Sequence, residues 1–265
     1  MTSRSELAND WNECVDQFLE GGSVFPPSLA DWFESCQGSG RTEVSTTCFP
    51  EPFIGDLAGN LRAIILGLNP GRPFPELQGR DGIYADAIRE AGSYTAWASS
   101  WPYLSEAWTS FAGKPNPFHK ARYDWVQGWT GERTSPANSH LVVELYPWHS
   151  IDLPQPFRPD IRSIDQYVWE PLAEFGPLPI FAFGSKSLFD VIPSLPGVEV
   201  IARLPESGES AATYGFSAPS REVMIGRAPT GGMLYIANHH GSDRLPPLKE
   251  LDLHRKLAKK VFGEV

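Results

Sequence analysis

Cysteine is scarce in this chain and widely spaced. The three cysteines, Cys14, Cys36 and Cys48, form no C-x-x-C pair. That spacing argues against a structural zinc or a cysteine-held iron–sulfur cluster, and it reads as reduced, partly buried thiols. Long apolar runs are missing too: no stretch approaches the ~20 apolar residues of a membrane helix. Met1 to Asp10 is polar and acidic, without an apolar signal core. The expectation is a soluble cytoplasmic protein with no membrane partner. Positive charge is in deficit, with 22 Lys and Arg against 32 Asp and Glu and a formal net charge of -10. Sequence-blind nucleic-acid binding draws on a large positive field, so this balance argues against it. A local basic groove stays open. Arg158 and Arg162 lie close together. Lys249, His254, Arg255, Lys256, Lys259 and Lys260 cluster near the end and read as the solvated face of an amphipathic helix.

Apolar and turn-forming residues are plentiful. Hydrophobic residues make up 41% of 265 residues, which suffices for a sizeable core. Nine Trp and fifteen Phe are high counts, so some aromatics are expected to line a cleft. The 25 Pro and 24 Gly imply many loops. One domain is expected, with a helical and loop extension over 1–58 packing on an α/β core over 59–265. Leu7, Trp11, Val15 and Phe18 recur at helical spacing over residues 4–20. Further helices are expected near Ser28–Cys36, Gly82–Glu90, within Tyr94–Phe111, at Ala121–Trp129, over Ser163–Phe175 with Ser163 as N-cap, and from Lys186 to Val191. Pro246 opens a last one, to about Val261. Gly71 to Asp81 reads as loop.

The strands carry the functional signal. Ala63-Ile64-Ile65-Leu66 is a short apolar run of the buried-strand type. Gly67-Leu68-Asn69-Pro70-Gly71 breaks it sharply and leaves one amide, Asn69, at the strand's carboxyl end. Glycine permits close backbone approach, and Pro70 stiffens the turn. His140–Leu145 is a second strand, ending in Tyr146-Pro147-Trp148-His149. Pro179–Phe183 is a third, closed by Gly184-Ser185. Val198–Ala202 is a fourth. Residues 205–231 read as an excursion carrying an edge strand or hairpin, with a strand-like segment at Arg221–Ile225. Gly232–Ala237 is the last strand and ends at Asn238-His239-His240-Gly241-Ser242-Asp243-Arg244. Strands alternating with helices predict a mostly parallel sheet covered on both faces. In such a sheet Asn69, Glu144 with His149, Ser185 and the Asn238–Arg244 cluster share the carboxyl edge, where ligands bind.

Gly67-Leu68-Asn69-Pro70-Gly71 after a strand resembles motif one of the uracil-DNA glycosylase superfamily. It is closest to the mismatch-specific and single-strand-selective monofunctional branches, with their G-x-N-P-G form. Phe181-Ala182-Phe183-Gly184-Ser185 resembles that superfamily's internal strand ending in Gly-Ser. Asn238–Arg244 falls where motif two belongs, but carries His239-His240-Gly241-Ser242 where relatives usually have a Pro-Ser pair. The resemblance spans about residues 60–262.

The resemblance implies a three-layer α/β/α fold with a mostly parallel sheet, and a monofunctional DNA glycosylase. Water would cleave the bond between deoxyribose and a base flipped out of the stack. Asn69 would orient that water, since an amide cannot act as a general base. His239 or His240 would donate to the departing base, with either Asn238 or His239 in the leading place of the motif. Gly67, Leu68 and Glu144 would contact the base, and Phe74 or Tyr84 would stack on it. Pro70, Gly71, Ser185, Lys186, Asn238, Gly241 and Ser242 would hold DNA. Arg244 and Leu245 stand where relatives place a duplex wedge. Relatives often read the base with an Asn in the middle strand. Glu144, an acceptor when ionised, points instead to the amino donor of a cytosine-type base, and uracil requires it to be protonated or to point elsewhere. A modified cytosine, hydroxymethylated or glucosylated, is then the sensible substrate beside uracil, in repair or in defence against phage. The implied partner is DNA, double- or single-stranded, with no cofactor, no metal and a monomeric protein. Two other classes compete: a binding protein that kept the fold without the chemistry, and a metal-dependent hydrolase using His239, His240 and Asp243.

Overall fold

The computed structural model describes residues 2–23, 29–153, 160–184, 186–239 and 245–263, without the side chains of 186, 187 and 239. Seven strands form one mixed sheet: β1 (Phe53–Ile54), β2 (Ala63–Gly67), β3 (His140–Glu144), β4 (Ile180–Gly184), β5 (Glu199–Leu204), β6 (Arg221–Arg227) and β7 (Met233–His239). Their order is β1-β3-β2-β4-β7-β6-β5. The inner four, β3, β2, β4 and β7, are parallel. β1 and β6 run antiparallel to their inner neighbours, and β5 is antiparallel to β6. Every residue of β2, β3 and β4 is buried. That is why they read as continuous apolar runs rather than alternating ones: helices cover both faces of a parallel sheet.

One face is covered by the N-terminal helix Arg4–Leu19, the short helix Ala30–Ser35, and a helix from Ile161 to Ala173 that passes through a π-helical stretch at Asp165–Trp169. Ser3 and Glu6 close a capping box on the first of these. Its stripe of Leu7, Trp11, Val15 and Phe18 is buried, as the spacing predicts. The opposite face is covered by Pro117–Thr130 and Leu251–Phe262. Trp129 packs edge-on to Phe181 at 4.9 Å, and Trp125 to Phe183 at 5.1 Å. The α/β class and the mostly parallel inner sheet are as expected.

Several local expectations need correction. Phe53–Ile54 adds a strand to the sheet, so the segment before residue 59 enters the sheet instead of only packing on it. A helical turn, Pro75–Gln78, interrupts the expected loop after Gly71. Asp160, not Ser163, caps the helix that starts at Ile161. The Arg221–Ile225 segment belongs to a strand paired on both sides and forms a hairpin with Met233–His239, so the outer edge falls to Glu199–Leu204, with Val200 and Ile201 exposed. His254, assigned to a solvated basic face, is fully buried, and its Nδ1 pairs with the Tyr235 hydroxyl. Arg158 lies outside the described residues, and Arg162 is exposed. Among the described residues, no helix is long and apolar enough to cross a membrane.

Candidate active site

The carboxyl ends of β2, β3 and β4 open into a cleft of about 790 Å³. Gly67 closes β2 and lies beside Glu144 of β3 in the parallel register. The Glu144 carboxyl group folds over Gly67. A Cβ at position 67 would overlap Oε2 and stand 2.5 Å from the carboxyl carbon. Only glycine leaves room for the carboxyl group in this place. We expect Gly67→Ala to displace the Glu144 side chain and to cost about 1–3 kcal/mol, as other overpacking does. Urea unfolding measures the cost, and unchanged stability would show that Glu144 moves freely.

Asn69 follows two residues later. Its Nδ2 donates to the Ser150 carbonyl at 3.2 Å and to Ser150 Oγ at 3.0 Å. A carbonyl only accepts, so this pairing fixes which way the amide faces. Oδ1 is the free end: it accepts no hydrogen bond from a described residue, and Asn69 lines the cleft. The Ser150 hydroxyl in turn donates to Asp152 O at 2.8 Å. Gly71 turns the loop back with φ +83°. Its carbonyl lies 3.3 Å from His149 Nδ1 and can only accept, which places the imidazole proton on Nδ1. Burial pulls His149 down to about 4, so it is neutral. The loop after β3 thus clamps the loop after β2 at both Asn69 and Gly71.

Glu144 is 6% exposed. Burial pushes its carboxyl up to about 8, against the pull of the Arg122 guanidinium. At neutral pH it is a carboxylic acid, with one donor and one acceptor, rather than the ionised acceptor expected. Its Oε2 has no hydrogen-bond partner among the described residues.

Three cleft residues were not singled out in the sequence. Glu51, just before β1, is 4% exposed; its Oε1 accepts from Gln78 Nε2 at 3.0 Å and from the Tyr103 hydroxyl. Burial raises its carboxyl to about 7. Arg122 and His119 come from the helix Pro117–Thr130. Arg122 stacks on the Phe118 ring at 3.2 Å and donates to the Phe118 carbonyl at 3.2 Å. Burial and Arg122 hold His119 neutral, well below its usual range.

The structure brings Gly67, Leu68, Asn69, Pro70, Gly71 and Phe74 together with Glu144 on this cleft. Phe74 is 38% exposed at its rim, while Tyr84 is 1% exposed. Tyr84 packs against Trp97 and Tyr103 and donates to Pro102 O, so it is core and not a stacking platform. Asn238 is also displaced from its expected role. It lies fully buried inside β7, with Nδ2 on Glu222 Oε2 at 3.0 Å, and does not line the cleft. Leu245 is partly buried against the core. Lys186 opens the helix Lys186–Val191 and His239 ends β7, but their side chains lie outside the description, as do Ser185, His240, Gly241, Ser242, Asp243 and Arg244 altogether. Among the described residues, no group of three or more His, Cys, Asp or Glu could hold a metal ion.

No protein-family model, curated protein or solved structure matches the chain.

Proposed function

We propose that this protein is a monofunctional DNA glycosylase of the uracil-DNA glycosylase type, acting on a flipped uracil or modified pyrimidine. The observation that carries the reading is Asn69. It stands at the carboxyl end of a parallel strand, its amide nitrogen is tied to Ser150, and its oxygen is left to the cleft. Such an oxygen accepts a hydrogen bond from a water and holds it against an anomeric carbon, so that attack proceeds from a fixed geometry. The sugar then gains oxocarbenium character while the base leaves with the bonding electron pair. His239 or His240 is the proposed donor to that leaving group.

Glu144 supplies the base contact in this reading. As a neutral acid it matches O4 and N3–H of uracil, or N3 and the amino group of a cytosine, by turning its proton to the acceptor side. The cleft, at about 790 Å³, falls in the ~300–1,000 Å³ range of sites for drug-sized ligands and is roomy for a bare pyrimidine. That room supports a substituted base, such as hydroxymethylated or glucosylated cytosine, beside uracil. Either a repair enzyme or a defence enzyme against phage DNA uses this chemistry.

The test is a panel of single- and double-stranded oligonucleotides carrying uracil, cytosine, hydroxymethylcytosine or glucosylated hydroxymethylcytosine. Alkali reveals abasic sites. Release of at least one base is the expected result, and no cleavage at enzyme excess overturns the reading. The pH dependence separates the base edges. Ionised Glu144 only accepts, so uracil release falls as pH rises through about 8, whereas release of a cytosine-type base persists. Identical profiles would remove Glu144 from base recognition.

A further inference from the structure

Asn69 can orient a water but cannot take its proton. The cleft contains a group that can. Glu51 lines the same cavity, and its two oxygens are differently engaged. Oε1 accepts from Gln78 Nε2 and the Tyr103 hydroxyl, which fixes the carboxyl plane. Oε2 accepts from no described residue, which leaves it the unpaired oxygen of a carboxyl group that lines the cavity. His149 packs between this carboxyl and the Asn69 loop: its Nε2 stands 3.7 Å from Glu51 Oε1 without a hydrogen bond, and its Nδ1 donates to the carbonyl of Gly71, two residues past Asn69. The segment carrying Glu51 is itself tied to the loop after β3 by Glu51 N to Pro147 O at 2.7 Å and Ser45 N to His149 O at 2.8 Å.

We propose that Glu51 is a catalytic residue, the proton acceptor for the water that Asn69 orients. The inference rests on the glycosylase reading. The step balances. The water oxygen bonds to C1′ of the sugar, and the bond from C1′ to the base nitrogen breaks with its electron pair going to the base. One water proton passes to Glu51 Oε2. The base departs as an anion and is protonated by a donor in the cleft or by solvent, and Glu51 returns its proton to solvent.

Burial raises Glu51 to about 7, while Tyr103 and Gln78, donating to the carboxylate, pull it down. A base poised near the working pH is the efficient choice. The titratable groups around it are settled at neutral pH. Tyr84, Tyr94, Tyr103 and Cys48 are raised by burial and stay protonated, and His149 is neutral. Glu144 is a carboxylic acid until about 8. Activity therefore rises with pH through about 7, as Glu51 ionises.

The test is a single-turnover pH profile of base release by the full chain, comparing wild type, Glu51→Gln and Tyr103→Phe. Glu51→Gln keeps the shape and loses the proton acceptor. It lowers the rate about 10²-fold or more and abolishes the limb near pH 7, with DNA affinity unchanged. Tyr103→Phe removes a donor to the carboxylate, so it shifts the limb to higher pH, which a structural role would not do. Glu51→Gln within threefold of wild type with the limb in place, or a Tyr103→Phe limb that stays put, overturns the inference alone. A wild type that releases no base overturns the glycosylase reading and the inference with it.

Discussion

Asn69→Ala lowers the rate of base release by about 10²–10³-fold, the usual cost of removing one positioned polar group from a reacting centre. The loss falls on the chemical step, because Oδ1 is the atom turned to the cleft and Nδ2 only anchors it. Stability falls by about 1–3 kcal/mol, too little to unfold the domain. The substitution removes two hydrogen bonds at a half-buried position, each worth about 0.5–1.5 kcal/mol net, and Ser150 Oγ keeps its bond to Asp152 O. Single-turnover rates beside thermal melts check both halves. Unfolding instead of slow chemistry would make Asn69 a structural clamp.

Trp148→Ala lowers stability by about 3–5 kcal/mol, the usual cost of emptying a large core site. Trp148 is 1% exposed. It meets Trp11 at 5.9 Å, Trp32 at 5.6 Å and Phe33 at 5.2 Å, all edge to face, so it joins the two N-terminal helices to the end of β3. A loss of that size is a large share of the ~5–15 kcal/mol that holds a domain together. His149 and Ser150, the clamp on Gly71 and Asn69, follow it directly in the chain. The variant therefore also loses base release in its folded fraction. Urea unfolding gives the first quantity, and activity below the transition gives the second. A loss under 1 kcal/mol would mean that the N-terminal helices are not anchored through Trp148.

The inner strands were legible because burial on both faces leaves continuous apolar runs, as in Ala63–Leu66 and His140–Val143. Their shared carboxyl edge was legible too, since parallel strands end on one edge, and both Asn69 and Glu144 line the cleft there. Phe53–Ile54 was not, being two residues long and set beside Pro52. Aromatic content could not tell Phe74 at the rim from Tyr84 in the core, since both lie near the motif and only packing separates them. Glu144 was legible as a residue but not as an acid, because desolvation comes from the whole surrounding fold. Glu51 carried no signal between Pro50 and Pro52. Its chemistry depends on Gln78 and Tyr103, 27 and 52 positions away. The clamp on Asn69 likewise comes from Ser150, 81 positions on.

The most direct test of the central claim is mass-spectrometric detection of the free base and the abasic strand. Wild type and Asn69→Ala are incubated in parallel with uracil- and glucosylated-hydroxymethylcytosine-containing oligonucleotides. The account predicts equal amounts of released base and abasic strand with wild type, and about 10²–10³-fold less of both with Asn69→Ala. Intact oligonucleotides with wild type at excess, or equal release by the two proteins, would contradict it.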